Sequence, residues 1–93
     1  MKLLYDTQAD ALDINLSDGI VARTEEIDAG TFVDLDAHGG LLAIEVLGPA
    51  RRWPLEEIVE RFSIDDEIAE TLRAIRGTSV RLTLTETEPL VLA

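Results

Sequence analysis

Hydrophobic and polar positions alternate along the first half of the chain and fall into a helical spacing in the second. In Leu12-Asp13-Ile14-Asn15-Leu16 the apolar residues recur at every second place, so Leu12, Ile14 and Leu16 share one face of a strand and Asp13 and Asn15 the other. Lys2-Leu3-Leu4-Tyr5 is also strand-like, and the polar Asp6-Thr7-Gln8-Ala9-Asp10 between them suits a hairpin connection. Asp-Gly readily takes the left-handed conformations of a tight hairpin, so Ser17-Asp18-Gly19 predicts the next turn, leading into a strand over residues 20–27 with an acidic end at Glu25-Glu26. Asp28-Ala29-Gly30 breaks that strand and residues 31–36 resume the extended pattern. The glycines of Ala37-His38-Gly39-Gly40 mark a further turn, before a nearly continuous apolar run over 41–47 that reads as a central strand. Links this short join antiparallel neighbours, which predicts a meander over residues 2–47.

After Gly48-Pro49 the period changes. Leu55, Ile58, Val59 and Phe62 stand at i, i+3, i+4 and i+7 and define one face of a helix, with Pro54 suited to its start and Glu56, Glu57, Glu60 and Arg61 toward water. Ser63-Ile64-Asp65-Asp66 supplies capping residues for a second helix with Ile68, Leu72 and Ile75 as its stripe, ending at Gly77. Residues 79–85 alternate again, placing Val80, Leu82 and Leu84 inward on a strand, and Leu90-Val91-Leu92 after Pro89 either adds a strand or docks on a second chain. The expected class is α+β: a small antiparallel β-meander, two short amphipathic helices and a C-terminal strand region. One domain over residues 1–93 is expected, strand-rich over 1–50 and helical with terminal strands over 51–93, since neither part is large enough for its own core.

Composition narrows the chemistry. Cysteine is absent, which removes disulfides, thiolate metal sites and a cysteine nucleophile. No stretch approaches the roughly 20 apolar residues of a membrane span, and the first residues lack a signal-peptide pattern, so a cytoplasmic protein is expected. The net charge of −11 and the scatter of basic residues, with Arg51-Arg52 the sole adjacent pair, argue against nucleic-acid binding and favour a basic protein partner or plain solubility.

The first half carries a further signal. Tyr5-Asp6, then Ala9-Asp10-Ala11-Leu12, then Val33-Asp34-Leu35-Asp36 with Gly39-Gly40, then Ala43-Ile44-Glu45-Val46-Leu47 follow one another in an order and spacing that resembles the bacterial and archaeal family DUF2283, a domain of unknown function, over about residues 1–50. The chain departs from the family pattern at Ala43, where glycine is usual. The resemblance implies a small sheet module without an established activity, and an antitoxin-like companion of a toxin-like, basic ribonuclease is the sharpest role it suggests.

Candidate chemistry is sparse. Asp34, Asp36 and His38 stand at i, i+2 and i+4, so on a continuous strand they project to one face, where with Glu45 they would begin a metal or acid/base site. The competing reading places the aspartates as caps of a Gly-Gly turn, and a lone histidine is a poor basis for zinc. Asp6 and Asp10 read as caps of the first turn, and Tyr5 as packing. Glu45 points outward, or inward onto a partner such as Arg23 or Arg81. Trp53 beside Arg51-Arg52 reads either as packing where sheet meets helix or as an interface anchor. No serine-hydrolase constellation, phosphate loop or dinucleotide fingerprint is present, so no catalytic, cofactor-binding or metal residue is assigned. The expected function is a non-enzymatic protein-binding or interaction module. The alternatives are a small enzyme using Asp34, Asp36, His38 and Glu45, and a structural homodimer.

Overall fold

The computed structural model describes the backbone of residues 1–82 and 89–91 and the side chains of residues 1–77. The antiparallel α+β class stands. The strands are β1 (Lys2–Asp6), β2 (Ala11–Asn15), β3 (Arg23–Asp28), β4 (Thr31–Leu35), β5 (Leu41–Leu47) and β6 (Pro89–Val91), with α1 (Leu55–Arg61) and α2 (Asp66–Leu82) between β5 and β6. They form one sheet in the order β3-β4-β5-β2-β1-β6 with every neighbouring pair antiparallel.

That order corrects one turn of the expected meander. β1 and β2 form a hairpin and β3, β4 and β5 follow one another, but β2 lies beside β5, so strands β2 to β5 make a Greek key. The backbone at Asp18 and Gly19 is not left-handed, so Asp-Gly forms no tight hairpin here. Residues 16–22 instead cross the end of the sheet. The backbone N–H groups of Leu16 and Ser17 donate to the Leu42 carbonyl at 2.8 and 3.1 Å, and that of Ala22 donates to the Leu35 carbonyl at 2.8 Å. Gly19 packs against Leu42 there: a Cβ would lie 2.9 Å from the end of the Leu42 side chain, which would have to shift. β3 accordingly begins at Arg23, and Ile20, expected within it, is 88% exposed.

The alternation of β1, β2, β4 and β5 turns Leu3, Tyr5, Leu12, Ile14, Val33, Leu35, Ile44 and Val46 to one face, where both helices cover them. Leu55 and Ile58 of α1 and Leu72 and Ile75 of α2 complete the core with Trp53, which is 0% exposed and so packs where the sheet meets α1. Burying each of these side chains is worth roughly 1.5–3 kcal/mol. Ile68 of the expected α2 stripe is 38% exposed, while Ala69 and Leu72 are buried. Asp65 starts α2 by accepting the Glu67 backbone N–H at 2.9 Å.

Gly77 does not end α2. Its backbone is not left-handed and the helix continues to Leu82, so residues 79–82 are helical where a strand was expected; residues 83–85 of that strand lie outside the described residues. The C-terminal segment adds β6 to the free edge of β1, pairing Lys2 with Val91 and Leu4 with Pro89; Leu92 lies outside the described residues.

Arg51, in the link between β5 and α1, ties that link to the β3–β4 turn. Its guanidinium donates to both Asp28 carboxylate oxygens at 3.1 and 3.2 Å and to the Thr31 hydroxyl at 2.6 Å, while its Nε donates to the Leu47 carbonyl at 3.0 Å. Gly30 (φ +110°) makes room, since a Cβ there would stand 3.0 Å from the guanidinium. Burial opposes ionisation of Asp28, but hydrogen bonds from Thr31 and Arg51 and the Arg51 charge outweigh it and hold its carboxyl below the usual range.

Candidate functional site

The helices cover one face of the sheet and leave the other open. The strand register arranges the open face in rows. One row runs Glu26, Phe32, Glu45, Asp13 and Leu4 across β3, β4, β5, β2 and β1; the next runs Thr24, Asp34, Ala43, Asn15 and Lys2. Beyond the first row, Leu47, Ala11 and Asp6 are register partners in turn. This face therefore carries the carboxylates of Asp6, Asp13, Glu26, Asp34 and Glu45 against one cation among the described residues, Lys2. Apolar side chains are interspersed: Leu4 and Leu47 are 41% and 40% exposed, and Phe32 is half-buried. A shallow hollow of about 470 Å³ opens on its β1–β2 side, lined in part by Lys2, Leu4, Asp13, Asn15, Asp34 and Ala43.

Asp13 and Glu45 are direct cross-strand partners, so their carboxyl groups lie side by side on the open face. Loss of hydration is the main force raising the Glu45 carboxyl, and the charges of Asp13 and Asp34 add to it. Asp13 is raised chiefly by loss of hydration. Both carboxyls are therefore raised, and the proton they favour belongs to the pair. Glu45 faces outward, and its partner is a carboxylate; Arg23 instead pairs with Glu25 at 3.0 Å, and the Arg81 side chain lies outside the described residues. Asp13 is the member of this pair that sequence reasoning missed. Its outward position was readable from the alternation, but its opposite number depended on β2 pairing with β5.

The expected set of Asp34, Asp36, His38 and Glu45 is divided. Asp34 lies on the open face and accepts the Thr24 hydroxyl at 2.6 Å. A register shift after Asp34 breaks the strand geometry that would have carried Asp36 to the same face. Asp36 accepts the backbone N–H groups of His38 and Gly40, both at 2.8 Å, and these bonds hold its carboxyl below the usual range. His38 is exposed in the turn. Among the described residues, no three His, Cys, Asp or Glu side chains are placed to hold a metal ion.

The remaining motif residues act locally. Asp6 accepts the Gln8 and Ala9 backbone N–H groups at 2.9 and 3.1 Å, capping the first turn as expected. Asp10, left-handed at φ 49°, accepts the hydroxyl of the buried Tyr5. That bond and burial push the Tyr5 phenol up to about 12.

The five-stranded portion that presents this face coincides with a stretch matched by a family model described as "Protein of unknown function (DUF2283)", over residues 2–48. The chain belongs to the DUF2283 family. The match takes in Tyr5, Asp10, Asp13, Asp34, Asp36 and Glu45, and leaves the helices and β6 outside. No curated protein and no solved structure matches the chain. Among the described residues no helix is long and apolar enough to cross a membrane.

Proposed function

We propose that this DUF2283 chain is a non-enzymatic binding module whose open sheet face receives a basic protein partner. The observation that carries the reading is the Asp13–Glu45 pair: two facing carboxylates, with Asp34 adding its charge, in an exposed patch whose cations among the described residues reduce to Lys2. An arginine or lysine from a partner would replace carboxylate repulsion with charge-assisted hydrogen bonds. Leu4, Phe32 and Leu47 supply apolar area among the acids, which suits a protein surface better than a free cation. The sharpest form of the reading is an antitoxin-like role against a small basic ribonuclease in a bacterial cytoplasm.

The test is co-purification of the full chain from its native host, followed by the Glu45→Lys variant. A basic protein recovered in stoichiometric amount and lost with Glu45→Lys supports the face as the site. A partner retained undiminished by the variant places binding elsewhere. Recovery of the chain alone removes the proposal, and light scattering then distinguishes a homodimer from a monomer.

A further inference from the structure

Four of the chain's eight basic residues gather in one cleft, in a molecule with 19 acidic side chains. The cleft, about 340 Å³, lies between the β5–α1 link and α2 and is lined by Ala50, Arg51, Arg52, Arg73, Arg76 and Gly77. It is separate from the open sheet face.

An arginine cluster needs no ligand if carboxylates saturate it, so its donors must be followed one by one. Arg51 spends its guanidinium on Asp28, Thr31 and Leu47 and acts as a fixed wall. Arg73 donates twice to Glu56, at 3.0 and 2.8 Å, and once to Glu70 at 3.1 Å. Arg76 donates to the Trp53 carbonyl at 3.3 Å and lies 3.6 Å from Glu56, an ion pair longer than a hydrogen bond. Arg52 is exposed and makes no hydrogen bond or ion pair among the described residues. Among the described residues, Asp28, Glu56 and Glu70 thus supply three negative charges for four guanidiniums, the Glu56 charge being felt by Arg52 as well, and most of the free N–H donors belong to Arg52 and Arg76.

We infer that this cleft binds the phosphoryl group of a small anionic molecule, with Arg52 and Arg76 as its principal ligands. Guanidinium forks match tetrahedral oxyanions in geometry, and the bond to the Trp53 carbonyl pre-orients Arg76. The overall charge of −11 sets the size of the ligand, because a polyanion such as RNA is repelled along its length whereas a compact phosphate meets chiefly the local field. Glu56 is the competitor for the same donors, holding Arg73 and approaching Arg76.

The test titrates inorganic phosphate into the full chain while the arginine Nε–H resonances are followed by NMR, with acetate at matched ionic strength as the control. Saturable shifts at Arg52 and Arg76 are expected. Arg52→Gln and Arg76→Gln should each weaken binding by roughly tenfold, the loss expected of a charge-assisted hydrogen bond. Glu56→Gln should tighten it, an effect opposite to simple disruption of the cleft. Arg52 is exposed, so its variant keeps the test meaningful if Arg76→Gln perturbs the fold. Shifts reproduced by acetate, shifts shared by the distant Arg23, or an Arg52→Gln variant that binds as the parent does would each overturn the inference.

Discussion

Glu45 stands in surroundings that oppose its charge. Loss of hydration, Asp13 and Asp34 all favour its protonated form in the folded chain, so the folded state holds a proton that the unfolded chain releases more easily. Stability therefore declines as pH rises from the ordinary glutamate range through the raised folded-state value. Glu45→Gln removes the charge and keeps the shape. At neutral pH the variant should be more stable than the parent by about 0.2–1 kcal/mol, a cross-strand pair's worth reduced by exposure, with the gain shrinking as pH falls through the carboxylate range. Thermal melts across that range check it; a variant less stable than the parent at neutral pH would show that the Glu45 charge stabilises the fold. Asp36 has the opposite sign: its depressed carboxyl contributes stability that is present above the unfolded value and lost as pH falls through the folded one. Two acids of the family-matched stretch thus pull the acid limb of the stability curve in opposite directions.

At the level of elements, apolar periodicity located the strands and both helices because it records which face each buries, and that is a local property. Strand order is not local. Whether β2 meets β3 or β5 depends on the path of residues 16–22, where Asp18-Gly19 offers a turn that the backbone does not take. The same gap hid Asp13 as the partner of Glu45, and the register shift after Asp34 separated three residues that looked aligned. The end of α2 is not legible in the sequence for a related reason: the alternation after Gly77 is a strand signal where the helix runs on. The crossing segment and the helix layer should respond very differently to substitution. Leu72→Ala leaves a cavity under α2 and should cost about 2–5 kcal/mol, whereas Ile20→Ser removes no buried contact and should stay within about 0.5 kcal/mol. Urea denaturation of the two variants measures both; a large loss from Ile20→Ser would mean that the crossing segment packs on something in solution.

For the whole molecule, the family-matched sheet and the helices are mutually dependent. Residues 2–48 hold the inner sheet face, but Trp53, Leu55, Ile58, Leu72 and Ile75 cover it. Without them a row of aliphatic side chains is exposed, and the loss of five burials at roughly 1.5–3 kcal/mol each is as large as the usual net stability of about 5–15 kcal/mol. A fragment of residues 1–50 should therefore give a collapsed amide NMR spectrum where the full chain gives a dispersed one; a dispersed spectrum from the fragment would make the helices an accessory layer. The pairing of β6 with β1 has a mechanical consequence. Lys2 and Val91 face each other at one end of that ladder and Leu4 and Pro89 at the other, so tension applied between Lys2 and Val91 loads the backbone bonds in succession. The edge would peel open at low force, and the Greek key behind it would feel the pull only after β6 had left.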